Sequence, residues 1–284
     1  MNLCDRNEIQ ALLQRHGFKF AKSLGQNFLI DSQVPYHIAQ ASQADQHCGV
    51  LEIGPGIGCL TNELCQRAGK VVSVELDSRL YPILRETMAY YPQFTLIEGD
   101  AMKLDLTQLV RESFPGLTPI LCANLPYNIT TPILTKIVES GLFESLTVLI
   151  QKEVAQRICA KPGTPEYGAF SLLMQYYTKP DLLFEVPPTC FMPAPKVTSA
   201  VLHCLVRKEP PVHLTDADAF WRTVRAGFAL RRKTLVNSLQ SGWNLPKNVL
   251  QDAVNVCGFA PDVRGERLDL ADYAKLTEEL LKRT

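Results

Sequence analysis

Short strand-like runs alternate with helical spans through residues 49–150 of this chain. Each run is rich in Val, Ile and Leu, and each is followed by a glycine-rich turn or by a stretch long enough for a helix. Neighbouring parallel strands need crossover connections of this kind, whereas hairpins do not. The alternation therefore predicts an α/β domain with a doubly wound, mostly parallel sheet. The runs are 50–53, 71–75, 94–97, 119–123 and 146–150.

The pattern changes after residue 180. Two more strand-like runs, 182–186 and 200–206, are joined by a segment that contains four prolines and cannot be a helix. This connection predicts an antiparallel pair at one edge of the sheet. After residue 211 every further element is predicted to be helical. We therefore expect a sheet domain over residues 1–210, which includes an N-terminal lead-in, and a small all-α domain over residues 211–284.

Composition limits the function classes. The 284 residues carry no formal net charge, so any binding of nucleic acid must depend on local clusters of Lys and Arg. The nine cysteines are odd in number and include no C-x-x-C pair, which indicates reduced thiols in a cytoplasmic protein. The five histidines have no metal-ligand spacing, so we expect no metal site. We also expect no membrane span and no secretion signal.

A glycine-rich turn, residues 52–58, follows the first strand-like run and opens a helix. Its G-x-G-x-G spacing lets the backbone approach a ligand closely, although such a turn alone is weak evidence. Glu75 ends the next run, twenty-one residues after Gly54, where a carboxylate can accept both hydroxyls of a ribose. Asp100 follows the third run and can accept from the amine of an adenine. Alternatively, these two acids cap the helices that follow them.

The tetrapeptide Asn-Leu-Pro-Tyr, residues 124–127, directly follows the apolar run 119–123. The side-chain oxygen of Asn124 can accept a hydrogen bond from an amino group on a flat ring. A backbone carbonyl beside Pro126 can accept a second one, and the ring of Tyr127 can stack on the same ligand. These features all lie at the carboxyl ends of successive strands, the edge where open α/β sheets bind ligands.

This ordering resembles the class I S-adenosylmethionine-dependent methyltransferases, which have a Rossmann-like sheet. The tetrapeptide resembles their amino-methylating subgroup, which acts on adenine N6 or cytosine N4. Five segments, spread between about Phe20 and about Leu270, together resemble the ribosomal RNA adenine dimethyltransferases, in particular those that act on the small subunit. These segments are 25–29, 52–58, 124–129, 191–199 and 231–237.

The resemblance implies roles for individual residues. Asn27 and Leu29 would lie over the cofactor, S-adenosylmethionine. Gly54 would face its amino-acid portion, Glu75 its ribose, Asp100 its adenine amine, and Asn124 would stand between cofactor and substrate. The implied reaction adds two methyl groups to N6 of each of two adjacent adenines in a hairpin loop near the 3′ end of 16S rRNA.

Four residues are predicted to carry the methyl transfer. Asn124 and the carbonyl of either Leu125 or Pro126 would accept from the target amine, and Tyr127 and Phe191 would stack on the extruded base. Alternatively, Phe191 is a core aromatic residue. We identify no general base, and the chemistry does not need a strong one.

A basic segment without acids lies between Trp221 and Val236 and is predicted to be a helix that grips rRNA phosphates. Alternatively it is an ordinary solvated face. Lys196, with Lys19 and Lys22, would extend this surface, whereas Glu266 would pair locally with Arg264 and Arg267. The cations of the basic segment are Arg222, Arg225, Arg231, Arg232 and Lys233.

The sequence therefore predicts an rRNA adenine-N6 dimethyltransferase that acts, as a monomer, on 16S rRNA or on a precursor of the small ribosomal subunit. Two alternatives remain open at this point. A DNA amino-methyltransferase would share the chemistry of the pocket, and a non-catalytic RNA-binding factor could use the same fold in ribosome assembly.

Overall fold

A seven-stranded mixed sheet organises the N-terminal part of the chain in the computed structural model, which describes residues 1–21 and 25–284. The strand order is β4-β3-β2-β5-β6-β9-β7. Five neighbouring strands, from β4 to β6, pair in parallel, and β9 pairs antiparallel with both β6 and β7. This arrangement confirms the predicted sheet with its antiparallel edge pair, β9 and β7. The strands are β2 (Cys48–Ile53), β3 (Lys70–Glu75), β4 (Phe94–Glu98), β5 (Thr118–Asn124), β6 (Ser145–Gln151), β7 (Thr178–Val186) and β9 (Ser199–Val206).

The central strands are apolar along almost their whole length because both faces of the sheet are covered. In β2, Leu51 pairs in register with Val72 of β3 and with Leu121 of β5, and all three side chains are fully buried. This parallel register brings the carboxyl ends of β2, β3 and β5 to one edge of the sheet. The turns that follow these strands therefore lie next to one another.

Helices precede the sheet and connect its strands. Asp5 begins α1 by accepting from the backbone N–H groups of Asn7 and Glu8, which satisfies donors of the first turn. Gly141 ends α6 in the left-handed conformation that favours glycine. The helices are α1 (Arg6–Arg15), α2 (Gln33–Ala41), α3 (Cys59–Cys65), α4 (Tyr81–Thr87), α5 (Leu106–Ser113), α6 (Thr130–Ser140) and α7 (Lys152–Cys159).

A two-stranded ribbon joins two segments that are far apart in sequence. β1 (Phe28–Leu29) pairs antiparallel with β8 (Phe191–Met192), and Leu29 lies opposite Phe191. The backbone N–H of Ile30 extends the ribbon by donating to the carbonyl of Cys190 at 2.9 Å. The sequence pattern indicated only an irregular lead-in here, because strands of two residues are too short to show a periodicity.

The contacts of the described residues divide the chain into two compact units. The first comprises residues 1–155 and 178–206, and the second comprises residues 156–177 and 207–284. The sequence pattern placed residues 156–177 with the sheet, whereas their contacts group them with the C-terminal helices. No helix in the described part of the chain has both the length and the apolar character needed to cross a membrane.

The second unit is helical, as predicted for the C-terminal part of the chain. It buries a core that includes Phe220, Leu235, Leu250 and Tyr273. Asp269 and Asp272 form a capping box at the start of the last helix, each accepting from the other's backbone N–H. Beside the end of α7, the helices are α8 (Ala169–Tyr177), α9 (Ala217–Ala229), α10 (Leu235–Leu239), α11 (Lys247–Val256) and α12 (Leu270–Leu281).

Candidate active site

A cleft of about 1080 Å³, a volume that includes space open to solvent, lies in the first unit at the carboxyl ends of β2, β3 and β5. The turns after these strands form its walls together with the segment that begins β1. Gly54 links the turn after β2 to the end of β3, because its N–H donates to the carbonyl of Val74 at 2.9 Å. The lining residues fall within the segments 25–29, 52–60, 74–80, 99–101 and 124–129.

The glycine-rich turn has little room for side chains. Gly54 and Gly56 have φ angles of +72° and +62°, a region that residues with a Cβ rarely adopt. A Cβ on Gly54 would lie 3.2 Å from Cδ of Pro126, and one on Gly56 would lie 3.1 Å from the ring of Phe28. The turn therefore presents bare backbone to the cleft, packed between residues of two other segments.

Glu75 is buried at the end of β3 with both carboxylate oxygens fixed. Its Oε1 accepts from the N–H of Asp77 at 2.8 Å, and its Oε2 faces the N–H of Gly56 at 3.4 Å. Burial raises the pKa of Glu75, and these two backbone donors oppose that rise. Each oxygen keeps a lone pair for a further donor. The neighbouring Leu76 also lines the cleft and is 57% exposed, an apolar surface that the sequence reasoning missed.

Asp100 both caps a turn and lines the cleft. Its Oδ1 accepts from the N–H of Met102 at 2.9 Å and begins a short 3₁₀ turn over Ala101–Lys103. The N–H of Gly99 donates to the carbonyl of Glu75 at 2.8 Å, which fixes the base of this turn beside β3. Capping uses one oxygen of Asp100 and leaves Oδ2 without a partner in the described chain. The capping and the ligand-binding interpretations are thus compatible.

Asn124 ends β5 and lies half-buried in the cleft. Its Nδ2 lies 3.5 Å from the carbonyl of Asn27, and Oδ1 accepts no hydrogen bond from the described residues. The carbonyl of Pro126 already accepts from the N–H of Ile129 at 3.2 Å and from Oγ1 of Thr130 at 3.1 Å. The carbonyl of Leu125 accepts none within the described chain. The sequence does not distinguish the carbonyl of Leu125 from that of Pro126 as the second acceptor for a target amine. In the structure, the carbonyl of Leu125 is the one that is available to accept.

Tyr127 lines the cleft with its hydroxyl tied to the sheet. The hydroxyl lies 2.6 Å from Oγ of Ser199, which is fully buried at the start of β9. Burial raises the pKa of Tyr127, and the hydrogen bond with Ser199 opposes the rise. The ring orientation is thus set by a residue of the 191–199 segment, a role that the sequence did not suggest.

Phe191 does not line this cleft. It is 3% exposed and packs in the core, because β8 holds it opposite Leu29 in the short ribbon. The surroundings of Phe191 are therefore those of a core aromatic residue. Its stacking on a substrate base stays a prediction. The aromatic residue that does reach the cleft from this ribbon is Phe28.

Asn27 and Leu29 both line the cleft, and a hydrogen-bond network holds the segment that carries them. Nε2 of Gln26 donates to Oδ2 of Asp77 at 2.7 Å, while Oε1 of Gln26 accepts from the N–H of Ala21 at 3.1 Å. Asp77 in turn lies 2.5 Å from the guanidinium of Arg79. The segment before β1 is therefore fastened to the turn after β3.

Glu52 lies beneath the glycine-rich turn and is only 1% exposed. Its Oε2 accepts from Oγ of Ser73 at 2.6 Å and from Oγ1 of Thr61 at 2.7 Å. Burial raises the pKa of Glu52 to about 7, against the effect of these two hydroxyl donors. The residue lines the floor of the cleft with a carboxyl group that changes charge near neutral pH.

The predicted basic helix is not one helix. α9 ends at Ala229, and Arg231, Arg232 and Lys233 lie in the turn before α10. Three consecutive cations offer no apolar side chain that could bury a helical face there, and Leu230 has left the helical conformation. The prediction of a continuous basic helix was therefore wrong, although all three cations are exposed.

The cations of this segment differ in their partners. The guanidinium of Arg222 lies over the ring of Trp243, 4.1 Å from its centroid. Arg231 donates to the carbonyl of Pro165 and lies 3.5 Å from the carboxylate of Glu266, which also pairs with Arg264 at 3.8 Å.

The other cations of the basic segment have no side-chain partner among the described residues. The side chains of Arg225, Arg232 and Lys233 are exposed and form no hydrogen bond or ion pair within the described residues. Lys196 is exposed in the first unit, in the loop after β8. The predicted contribution of Lys22 falls outside the described residues.

The sequence matches one protein family over nearly its whole length. The family model for "Ribosomal RNA adenine dimethylase" matches residues 17–282. A "Ribosomal RNA small subunit methyltransferase A" from Geobacillus thermodenitrificans (strain NG80-2) is 45% identical over 277 residues, which cover 95% of this chain and 94% of the relative. A protein of the same name from Alkaliphilus oremlandii (strain OhILAs) is 43% identical over 274 residues, which cover 96% of each chain.

Two solved structures share the fold over most of the chain. A dimethyladenosine transferase from Plasmodium falciparum has a TM-score of 0.74 at 26% identity, and the match covers 90% of this chain and 98% of that one. The 23S rRNA methyltransferase ErmE has a TM-score of 0.68, also at 26% identity, over 89% of this chain and 99% of its own. The extent of the family match and the identity to full-length relatives show that this chain belongs to the ribosomal RNA adenine dimethylase family of methyltransferases.

Proposed function

We propose that this chain transfers methyl groups from S-adenosylmethionine to N6 of two adjacent adenines in the 3′-terminal hairpin loop of 16S rRNA. Family membership supports an adenine of ribosomal RNA as the target, and the names of the two relatives support the small subunit. The observation that carries the proposal is a cleft shared by a bare glycine turn, Asn124 and the open carbonyl of Leu125. The proposed substrate form is a precursor of the small subunit, modified in the cytoplasm by a monomer.

The cleft has features that fit the cofactor. Gly54 and Gly56 present bare backbone, which would let the amino-acid portion of the cofactor lie close to the turn. A side chain at either position would obstruct that approach. Glu75 retains lone pairs for ribose hydroxyls, and Asp100 retains Oδ2 for the exocyclic amine of adenine. The exposed side chain of Leu76 offers an apolar surface to a purine ring.

S-adenosylmethionine supplies a methyl group on a positively charged sulfur, so that the leaving group is neutral. The task of the chain is to activate N6 of the target adenine, whose lone pair is delocalised into the ring. Asn124 and Leu125 both line the cleft, and Oδ1 of Asn124 and the carbonyl of Leu125 would accept its two N–H groups. Accepting both favours a pyramidal nitrogen with a directed lone pair. Positioning and preorganised dipoles then supply most of the rate enhancement.

The ring of Tyr127 completes the pocket for an extruded base. Stacking of this kind contributes about 1–3 kcal/mol per base, which offsets the cost of taking the adenine out of its stack. After the first transfer the same nitrogen keeps one N–H, so the second transfer uses only one of the two acceptors. Each transfer gives a cationic nitrogen, and this nitrogen is acidic enough to lose its proton to water.

RNA binding is proposed for the exposed cations of the second unit. Arg225, Arg232 and Lys233 pair with no carboxylate of the described residues, so their charge is available to phosphates. Arg222 and Arg231 already have partners and would contribute less. Double-stranded RNA is recognised mainly by shape and backbone contacts, which leaves selection of the adenine to the cleft.

A labelled methyl donor tests the proposal. The protein is incubated with small subunits that lack these methyl groups, with naked 16S rRNA and with duplex DNA, and nucleosides are analysed after digestion. We expect N6,N6-dimethyladenosine from the ribosomal substrates and none from DNA. An Asn124→Ala variant should bind S-adenosylhomocysteine but give no product.

Other outcomes would favour the alternatives. Methylation of DNA alone would indicate a DNA amino-methyltransferase. Binding of small subunits without any methyl transfer would indicate a non-catalytic assembly factor.

A further inference from the structure

Lys136 makes an unusual set of contacts beside the cleft. It lies on α6, half-buried, and its Nζ donates to three backbone carbonyls: Ala101 at 3.2 Å, Met102 at 2.8 Å and Leu104 at 2.7 Å. An ammonium group has three protons, and here all three are directed at backbone oxygens. No carboxylate of the described residues pairs with it. A lysine with these contacts holds backbone in place and is not a solvated surface charge.

The carbonyls belong to the turn that Asp100 begins. The N–H of Met102 donates to Oδ1 of Asp100 at 2.9 Å. That N–H and the carbonyl of Ala101, which accepts from Lys136, are the two ends of one peptide group. A continuous path of hydrogen bonds thus runs from the ammonium of Lys136 through this peptide to the carboxylate of Asp100. Hydrogen bonds in such a chain polarise and orient one another.

The same helix also supports the other side of the cleft. α6 begins immediately after the 124–129 segment, and Oγ1 of Thr130 donates to the carbonyl of Pro126 at 3.1 Å. Lys136 lies in the middle of this helix. α6 is therefore bonded to the segment that carries Asn124 near its start and to the turn of Asp100 further along.

We propose that Lys136 is a positioning residue for the adenine of the cofactor and acts through Asp100. By holding the Ala101–Leu104 backbone, it fixes Oδ1 of Asp100 in the cap and directs Oδ2 to the exocyclic amine. This inference rests on the proposed function, because it assumes that Asp100 binds the adenine of S-adenosylmethionine. It adds a residue outside the strand-end segments to the recognition of that adenine.

Binding measurements with matched lysine variants test the inference. Lys136→Met removes the ammonium and keeps an unbranched apolar side chain. Lys103→Met is the control, since Lys103 lies on the same turn with an exposed side chain. S-adenosylhomocysteine and S-inosylhomocysteine, which lacks the exocyclic amine, are titrated into each protein by calorimetry. We expect Lys136→Met to weaken binding of the adenosyl ligand about tenfold, a loss typical of a hydrogen bond to a charged group. Binding of the inosyl ligand should change much less, and the control should match the wild type for both.

A second variant separates positioning from a general loss of structure. Asp100→Asn leaves a single oxygen for both the cap and the exocyclic amine, so adding Lys136→Met to it should have little further effect on the adenosyl ligand. Equal weakening of both ligands, or additive effects in the double variant, would overturn the inference. If Lys136→Met does not fold, Lys136→Gln is measured in the same way, and wild-type affinity for the adenosyl ligand would again overturn it. Failure of the wild type to bind S-adenosylhomocysteine would instead count against the proposed function.

Discussion

The hydroxyl of Tyr127 lies 2.6 Å from Oγ of Ser199 and joins two segments that are more than seventy residues apart in sequence. Ser199 is fully buried and pairs across the sheet with Gln151 of β6 and Val186 of β7. Its position is therefore fixed by strands on both sides. A flat ring that is anchored at its far end by such a residue keeps one orientation toward the cleft.

Ser199→Ala should lower kcat about tenfold, because a freed Tyr127 ring would place the target base less accurately. The KM for S-adenosylmethionine should stay near the wild-type value, since the change does not touch the glycine turn, Glu75 or Asp100. Steady-state kinetics with undermethylated small subunits measure both constants. Ser145→Ala is a matched control, because Ser145 is also a buried serine at the start of a strand.

The bond itself is tested by combining Ser199→Ala with Tyr127→Phe. Each single change removes one partner of the same hydrogen bond, so the double variant should be little worse than either one. Fully additive losses would mean that Ser199 acts on something other than Tyr127.

Gln26→Leu should raise the Kd for S-adenosylhomocysteine about tenfold. Gln26 joins the segment of Asn27 to Asp77, and without this bond the segment loses one of its attachments to the turn after β3. Leu has a similar size but cannot donate to the carboxylate. The Kd is measured by calorimetry, with Gln33→Leu as a control at an exposed position on α2. An unchanged Kd would show that the ribbon between β1 and β8 holds the segment without help.

The architecture could be predicted from the sequence because its signals are local and repeated. Each central strand is an apolar run, and a polar residue such as Glu75 or Asn124 ends the strand at the same edge of the sheet. The ribbon of β1 and β8 could not be predicted, since it depends on two dipeptides that meet only in the folded chain. The burial of Phe191 follows from that pairing.

Other features of the structure could not be predicted from the sequence for different reasons. α8 has the sequence AFSLLMQYY and lacks the alternating polar face that reveals an amphipathic helix. Lys136 is one lysine among many in the sequence, and only the fold shows that backbone carbonyls surround its ammonium. Charge density says nothing about where a helix ends, so the run Arg231–Lys233 could not be separated from the helix before it by its sequence.

The free energy of unfolding should decrease as the pH rises, because of the titration of Glu52. Its folded pKa of about 7 lies above its ordinary value of 4.5, so the folded state binds this proton more tightly than the unfolded state. The associated stabilisation is fully present below about pH 4.5 and is lost as the pH rises through about 7, up to about 3 kcal/mol. Glu52→Gln removes the titration and keeps an oxygen that can accept from Ser73 and Thr61.

Urea denaturation of both proteins between pH 4.5 and pH 8 isolates this effect, because other titrating groups are common to the two. The free energy of unfolding of the wild type, minus that of Glu52→Gln, should fall as the pH rises across this range. A difference that stays constant would mean that Glu52 has the same pKa in the folded and unfolded chains.

The exposed cations of the second unit should account for most of the salt dependence of rRNA binding. Replacing Arg225, Arg232 and Lys233 with Ala should reduce the slope of log K against log salt by about one for each phosphate contact that is lost.

The matched comparison is Arg222→Ala, which removes one cation that is already engaged with Trp243. Its expected effect is a loss of stability in the second unit, because it takes away packing and a cation–π contact, and little change in slope. Binding is measured by fluorescence anisotropy with a hairpin of 16S rRNA at several salt concentrations, beside thermal unfolding of each variant. If Arg222→Ala flattened the slope as much as the triple variant, engagement with Trp243 would not remove a cation from RNA binding, and the division of this surface into free and occupied charges would be wrong.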